Sequence, residues 1–129
     1  MKIIDGTNIV MGRLASYVAK ELLRGEKIDI INCDKVIDTG NNEMVKEEFL
    51  KKRGKTGRMQ RGPTYIRSDE RIVKRTIRGM LPNYRRGRGR IAWKNIKCHI
   101  GIPKEFENKE TIKLPEVKKK KFVIMGEFK

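Results

Sequence analysis

The spacing of apolar residues in the first quarter of the chain predicts a strand, a helix and a second strand. Residues 2–5 form a short apolar run that ends at a turn signal, and residues 28–31 form a second, stronger run. Between them, apolar residues recur every three or four positions over residues 11–24, and Gly25 stands where a helix commonly ends. This order within about thirty residues predicts a right-handed βαβ unit with parallel strands.

Two further segments extend this pattern. Residues 43–53 are predicted to form a second helix, with Met44, Phe49 and Leu50 as its apolar contacts. Residues 96–101 alternate apolar and polar side chains, which predicts another strand. Alternating strands and helices indicate an α/β fold with helices on both faces of the sheet.

A third helix is predicted over residues 70–80, and helical geometry sorts its side chains onto two faces. The bases fall within about 100° of arc, and the apolar side chains cover the opposite side. The basic face consists of Arg71, Lys74, Arg75 and Arg78, and the apolar face consists of Ile72, Val73, Thr76, Ile77 and Met80. A merely solvated helix face mixes Glu with Lys at a spacing of four, and this face contains no acid. The pattern therefore predicts a face that lies against phosphates.

Nearly all of the net charge lies around that helix. Residues 51–90 contain 15 Lys and Arg residues and two acids, a net charge of +13 out of +16 for the chain. Such a field attracts a polyanion, and nucleic acid is favoured over a membrane because no apolar run reaches about 18 residues. A length of 129 residues, of which 37% are hydrophobic, fits a single domain over residues 1–129. No signal-peptide pattern opens the chain, so a cytoplasmic location is expected.

Two loops beside the helix, residues 54–63 and 83–90, alternate glycine with cations. Self-repelling loops of this composition are expected to stay mobile until a polyanion neutralises them. Tyr65, Tyr84 and Trp93 lie among these bases, and unpaired RNA bases stack on such rings. For Trp93 a core position is favoured, because it leads into the predicted strand.

The motifs that would carry chemistry are incomplete. Residues 54–56 end like a phosphate-binding loop, but Phe49 occupies the position of the required first glycine. Cys33, Cys98 and His99 provide three soft ligands where structural zinc needs four. The two cysteines are expected to be reduced thiols in the core. The sequence therefore predicts a protein without enzymatic activity, cofactor, metal or small-molecule substrate.

Two alternatives from other functional classes stay open. Asp5, Asp34 and Asp38 lie near predicted strand ends, where open α/β sheets often bind ligands, so a small nucleotide- or phosphate-binding α/β enzyme is one. Turn formation is the favoured interpretation of these carboxylates. A nonspecific nucleic-acid chaperone, which would bind DNA and RNA alike, is the other.

Three strings in the chain resemble the archaeal and eukaryotic form of the family of the universal large-subunit ribosomal protein thirteen. They are Ile4-Asp5-Gly6 leading to Gly12-Arg13-Leu14-Ala15-Ser16, Asn32-Cys33-Asp34-Lys35-Val36-Ile37 with Thr39-Gly40, and Arg78-Gly79-Met80-Leu81-Pro82 followed by the Arg/Gly loop and Gly101-Ile102-Pro103. Their order and spacing match the family over about residues 2–106.

The resemblance implies a three-layer α/β/α fold with a small, mostly parallel four-stranded sheet and basic loop extensions. It also implies a structural constituent of the large ribosomal subunit in the cytoplasm, with large-subunit rRNA and neighbouring ribosomal proteins as partners. Ser68-Asp69 stand where relatives usually carry Ala-Pro, so the third helix is expected to begin at a Ser or Asp N-cap. Residues 107–129 form a C-terminal tail that the resemblance does not place.

The candidate RNA contacts combine the basic segment 51–90 with one residue of the first helix. They are Arg13, Lys51, Lys52, Arg53, Lys55, Arg58, Arg61, Arg67, Arg71, Lys74, Arg75, Arg78, Arg85, Arg86, Arg88 and Arg90.

Overall fold

The computed structural model describes residues 1–55, 64–116 and 121–128. They form an α/β fold. The helices are α1 (Met11–Leu23), α2 (Asn42–Gly54), α3 (Asp69–Met80) and α4 (Gly87–Lys94). The strands are β1 (Lys2–Asp5), β2 (Ile28–Ile31), β3 (Ile37–Thr39), β4 (Ile96–Cys98), β5 (Ile112–Lys113) and β6 (Phe122–Ile124). Of the predicted loop 54–63, residues 56–63 lie outside the described part of the chain.

The predicted βαβ unit is confirmed. β1 and β2 pair in parallel, with Ile4 opposite Ile30, and α1 connects them. Gly25 has φ +93°, and its amide donates to the Leu22 carbonyl just beyond the end of α1. A glycine adopts this left-handed conformation without steric cost, so it ends the helix and turns the chain towards β2.

The main sheet is parallel throughout, in the order β4-β2-β1-β5. Side chains alternate between its two faces, so Ile4 and Ile30 belong to the large core on the side of α1, α3 and α4. Ile3 and Ile31 point to the opposite face, where Phe106 from the short 3₁₀ helix Lys104–Phe106 covers them. The arrangement agrees with the expected three-layer α/β/α fold around a four-stranded sheet.

α3 is anchored to the body by its apolar face. Val73 and Ile77 are fully buried and join the core formed by α1 and the sheet. The Thr76 hydroxyl also lies 3.5 Å from the Met11 sulfur at the start of α1. The basic face of α3 is consequently held outward by a rigid support.

The predicted contacts of the second helix are only partly correct. Met44 and Leu50 are 67% and 61% exposed, and α2 has no buried residue. Phe49 is half-buried, and its ring meets that of Tyr65 edge-on. The three apolar side chains are spread around the helix, so they cannot all face one surface.

The C-terminal tail contributes to the core. β6 pairs antiparallel with β3 in a second, two-stranded sheet, and Val123 and Met125 are buried in the large core. The sequence pattern did not place this strand. Its partner is more than eighty residues away in the chain, and short apolar runs carry little information about their pairing.

Truncation of Val123 tests this docking. Val123 is fully buried, so Val123→Ala is expected to lower the free energy of unfolding by about 1.5 kcal/mol, the transfer cost of two methylene equivalents. Leu50→Ala removes a larger side chain, yet it should cost well under half as much because Leu50 is 61% exposed. Urea unfolding followed by circular dichroism measures both, and equal losses would contradict the packed tail.

Both cysteines lie on the core side of the sheet. Cys33 is fully buried, and Cys98 is half-buried opposite Ile30 in the strand pairing. A hydrogen bond with the Cys98 thiol, together with burial, raises the pKa of the Cys33 thiol. Both thiols are free in the structure, as expected from the sequence.

Among the described residues, no helix has the length and hydropathy needed to cross a bilayer.

Candidate nucleic-acid interface

The surface formed by α3, the 81–86 turn and α4 is cationic because the nearby acidic side chains point into the protein. Segment 51–90 contains only two acids, Asp69 and Glu70. Asp69 is 1% exposed, and the Oε2 atom of Glu70 is enclosed by protein. Among the described residues, no base of residues 64–94 forms an ion pair with an acid. Within the part of the chain that the structure describes, these cations therefore lack acidic counterions, so they raise the local anion concentration.

α3 begins where the sequence predicted. Ser68 occupies the N-cap position, and its carbonyl accepts the amides of Arg71 and Ile72. The Ser68 side chain makes no capping hydrogen bond, so the cap is formed by the backbone alone. Asp69 and Glu70 occupy the first turn, where negative charge favours the helix dipole.

The four predicted cations of α3 lie along its outer side. Arg71 is exposed, and Lys74, Arg75 and Arg78 are half-buried. Each of the three half-buried side chains lies over an aromatic ring. Arg75 is 4.9 Å from the Tyr65 centroid, and Arg78 is 4.6 Å from the Tyr84 centroid. The face is therefore an ordered array of cations.

The predicted mobile loop 83–90 is wrong in its second half. Helix α4 begins at Gly87 and buries Gly89 and Ala92. A Cβ atom on Gly89 would lie 2.5 Å from the Asn83 carbonyl oxygen, closer than real Cβ atoms come. Glycine at this position lets α4 pack directly on the 82–83 backbone, a contact that the alternation of Gly and Arg did not reveal.

The arginines of this region are presented by α4 and the turn before it. Arg85 and Arg86 precede the helix, Arg88 and Arg90 belong to its first turn, and all four are exposed. The Arg85 Nε donates a 3.2 Å hydrogen bond to the Tyr84 hydroxyl, which together with the charge of Arg85 lowers the pKa of that phenol.

The Trp93 ring lies between the core and the interface. It belongs to α4, is half-buried against the large core, and meets the Tyr84 ring at 6.3 Å. Lys74 lies 4.8 Å from its centroid. The expected core position is therefore partly correct, and the same ring also supports a cation of α3.

The cations of α2 are arranged differently. Lys51 and Lys52 form ion pairs with Glu47 and Glu48 at 3.0 and 2.9 Å, each one helical turn away. The hydrogen bond from Lys52 to Glu48 raises the pKa of the lysine. Arg53 lies 4.3 Å over the Phe49 ring, and Lys55 is exposed beyond the helix. The two lysines thus already have counterions, whereas the cations of α3 and α4 have no acidic partner among the described residues.

The remaining candidates are dispersed. Arg13 is exposed in the first turn of α1, two residues from Met11, which contacts α3. Arg67 is exposed just before α3. Arg58 and Arg61 lie outside the described residues.

Two of the three carboxylates at the strand ends, Asp5 and Asp34, accept hydrogen bonds within the fold. Asp5 accepts hydrogen bonds from the Asn32 amide and from both the backbone amide and hydroxyl of Thr7. Burial opposes ionisation of Asp5, but these bonds outweigh it and hold its pKa below the ordinary 3.8. Asp34 accepts from the Gly101 amide. Burial raises the pKa of Asp38. Across the described residues, His, Cys, Asp and Glu form no group of three that could hold a metal ion.

Removing the Asp5 carboxylate should destabilise the protein in a pH-dependent way. Asp5→Ala leaves the donors of Thr7 and Asn32 without this acceptor, so a loss of about 1.5 kcal/mol is expected at pH 7. Because folding lowers the pKa of Asp5, its stabilisation is present above 3.8 and is lost as the pH falls through the lower folded value. Urea unfolding at several pH values should show the gap between the proteins narrowing only below pH 3.8. A gap of constant size down to pH 2 would contradict this role.

Comparison with known proteins identifies the family. The family model described as Ribosomal protein L13 matches residues 1–105. The large ribosomal subunit protein uL13 of Methanosphaera stadtmanae is 42% identical over 121 residues, covering 92% of this chain and 84% of the relative. Its counterpart in Methanosarcina barkeri is 39% identical over 98% of this chain and 94% of the relative, and that in Methanopyrus kandleri is 46% identical over 81% and 65%. These archaeal relatives agree with the resemblance seen in the sequence. The chain belongs to the ribosomal protein L13 family, whose members are structural proteins of the ribosome and not enzymes.

Proposed function

We propose that the protein is a structural constituent of the large ribosomal subunit that binds and stabilises folded large-subunit rRNA through the exposed cations of α3, the 81–86 turn and α4. The observation that carries the proposal is the unneutralised cationic surface. Its cations have no acidic partners in the described structure, and the two acids of segment 51–90 are turned inward. The names of the relatives support the large subunit as the site of action.

Binding is driven by counterion release from the phosphates. Each neutralised phosphate releases condensed cations, so the affinity falls steeply as the salt concentration rises. Six to ten such contacts would lose roughly a thousandfold or more in affinity between about 50 and 200 mM salt. The cations relieve phosphate repulsion where RNA helices converge, which stabilises the folded RNA.

Specificity comes from RNA shape. The major groove of A-form RNA is too narrow for side chains to read, so a rigid helix with fixed cations recognises junctions and phosphate spacing. Arg13 and Arg67 add contacts from the edges of the surface, and Lys51, Lys52, Arg53 and Lys55 extend it along α2. Arg58 and Arg61, which lie outside the described residues, are further candidate contacts. Neighbouring ribosomal proteins contact other parts of the molecule. As a component of the ribosome, the protein is cytoplasmic.

Sedimentation of a cell lysate tests the proposal. The chain is followed through sucrose gradients at low and high salt beside marker proteins of both subunits. Stoichiometric migration with the large subunit, persisting until the salt is high, is the expected result. A chain that stays at the top of the gradient at low salt, or that migrates with bulk DNA and RNA without saturating, overturns it.

A further inference from the structure

The cations of the interface are held on aromatic rings. Within the described residues, three of the four basic side chains on the outer side of α3 lie over a ring: Lys74 over Trp93, Arg75 over Tyr65 and Arg78 over Tyr84, with distances of 4.6–4.9 Å to the centroid. At this separation the face of an aromatic ring attracts a cation.

Tyr65 connects α2 with α3. Arg75 of α3 lies 4.9 Å from its centroid, and Lys52 of α2 lies at 6.0 Å. Phe49 of α2 meets the ring at 5.7 Å with an interplanar angle of 82°. The half-buried ring is therefore fixed by one helix while it holds a cation of the other.

Tyr84 makes the corresponding connection between α3 and α4. Arg78 of α3 and Arg85 lie 4.6 and 5.4 Å from its centroid. Arg85 also donates to the Tyr84 hydroxyl, and the ring meets Trp93 of α4 at 6.3 Å. Two guanidinium groups from different segments are thereby brought to one ring.

We propose that Tyr65 and Tyr84 are positioning residues, which hold Arg75, Arg78 and Arg85 in place for the rRNA phosphates before the RNA arrives. This inference rests on the proposed function and deepens it, because it assigns the shape specificity of the surface to two uncharged residues. A free arginine loses its rotamer freedom on binding, whereas an arginine already held against a ring has lost much of it.

The competing role for a tyrosine on an RNA-binding surface is to stack directly on an unpaired base. The two roles differ in the RNA-free protein. A positioning ring orders its arginines without RNA, so their guanidinium Nε–Hε signals in nuclear magnetic resonance spectra should be dispersed by the ring current. A base-stacking ring requires no such order.

The test combines these spectra with affinity for large-subunit rRNA over a range of salt concentrations. In Tyr84→Leu, the Arg78 and Arg85 signals should move towards the chemical shift of free arginine. Binding should weaken roughly five- to tenfold, because the two arginines then lose their rotamer freedom only when the RNA binds. The slope of log affinity against log salt should stay unchanged, because no phosphate contact is removed. Arg78→Ala should instead make that slope less steep by about 0.9.

Tyr84→Phe keeps the ring and should retain most of the affinity, and Tyr17→Leu, an aromatic replacement in α1, serves as the control outside the interface. Unchanged arginine signals in Tyr84→Leu would overturn the proposal, and so would unchanged affinity. If the wild-type chain does not prefer large-subunit rRNA over small-subunit rRNA, the proposed function fails instead, so the two failures are distinguishable.

Discussion

Replacing Arg71, Arg75 and Arg78 together by glutamine is expected to weaken binding to large-subunit rRNA on the order of a thousandfold at low salt. Each charge-assisted hydrogen bond to phosphate contributes about 1.5 kcal/mol, and three of them correspond to about three powers of ten. The negative slope of log affinity against log salt should become less steep by two to three units, roughly 0.9 for each lost contact. Glutamine is a good helix former, so α3 should persist. Filter binding between 50 and 300 mM salt gives both quantities.

A matched variant separates this effect from net charge. Lys20, Lys27 and Lys97 are exposed on other parts of the molecule, and their replacement by glutamine produces the same change of three charges from +16. This control should lose less than about tenfold in affinity, because long-range attraction between exposed charges is screened within about 10 Å. Equal losses in the two triple variants would show that the surface of α3 has no special part in binding.

Gly89→Ala is expected to lower the free energy of unfolding by about 3 kcal/mol, at the upper end of the range for overpacking. The added methyl group would lie 2.5 Å from the Asn83 carbonyl oxygen and closer still to that of Pro82, so backbone must move. α4 would be displaced from the 82–83 segment, and its arginines with it. The variant should therefore also bind rRNA more weakly per folded molecule. Urea unfolding and filter binding of the same preparation measure both effects.

Gly79→Ala is the control for this change. Gly79 belongs to α3, and a Cβ atom there would meet no atom within 4 Å. Alanine in an exposed helical position should raise the free energy of unfolding by up to about 1 kcal/mol. If Gly89→Ala were as well tolerated as Gly79→Ala, the close packing of α4 on the preceding turn would be disproved.

The periodic parts of this fold could be predicted from the sequence, because each is determined by neighbours in the chain. The βαβ unit over residues 2–31 and the two-faced helix α3 carry strong local signals, and the structure confirms both. The unbroken basic arc of α3 and the strings that match the family gave the functional prediction its direction. Whether each named cation touches RNA stays a prediction.

The parts that could not be predicted depend on contacts between distant residues. β6 pairs with β3 across most of the chain length, and its short apolar run gave no indication of a partner. Residues 87–90 of α4 fall in the loop 83–90, for which mobility is predicted because its glycines alternate with mutually repelling cations. Packing of Gly89 on the 82–83 backbone overrides that local preference. The rings beneath Lys74, Arg75 and Arg78 could not be predicted either, because they belong to segments outside α3.

Ultraviolet crosslinking of purified large ribosomal subunits tests the central claim most directly, because it reports which peptides of the protein touch rRNA in place. Mass spectrometry of the crosslinked peptides should locate RNA adducts on residues 64–94, with the arginines of α3, the 81–86 turn and α4 among them. Adducts confined to the exposed end of α1 around Lys20 or to the β4 side around Lys97, with none on α3 or α4, would contradict the account.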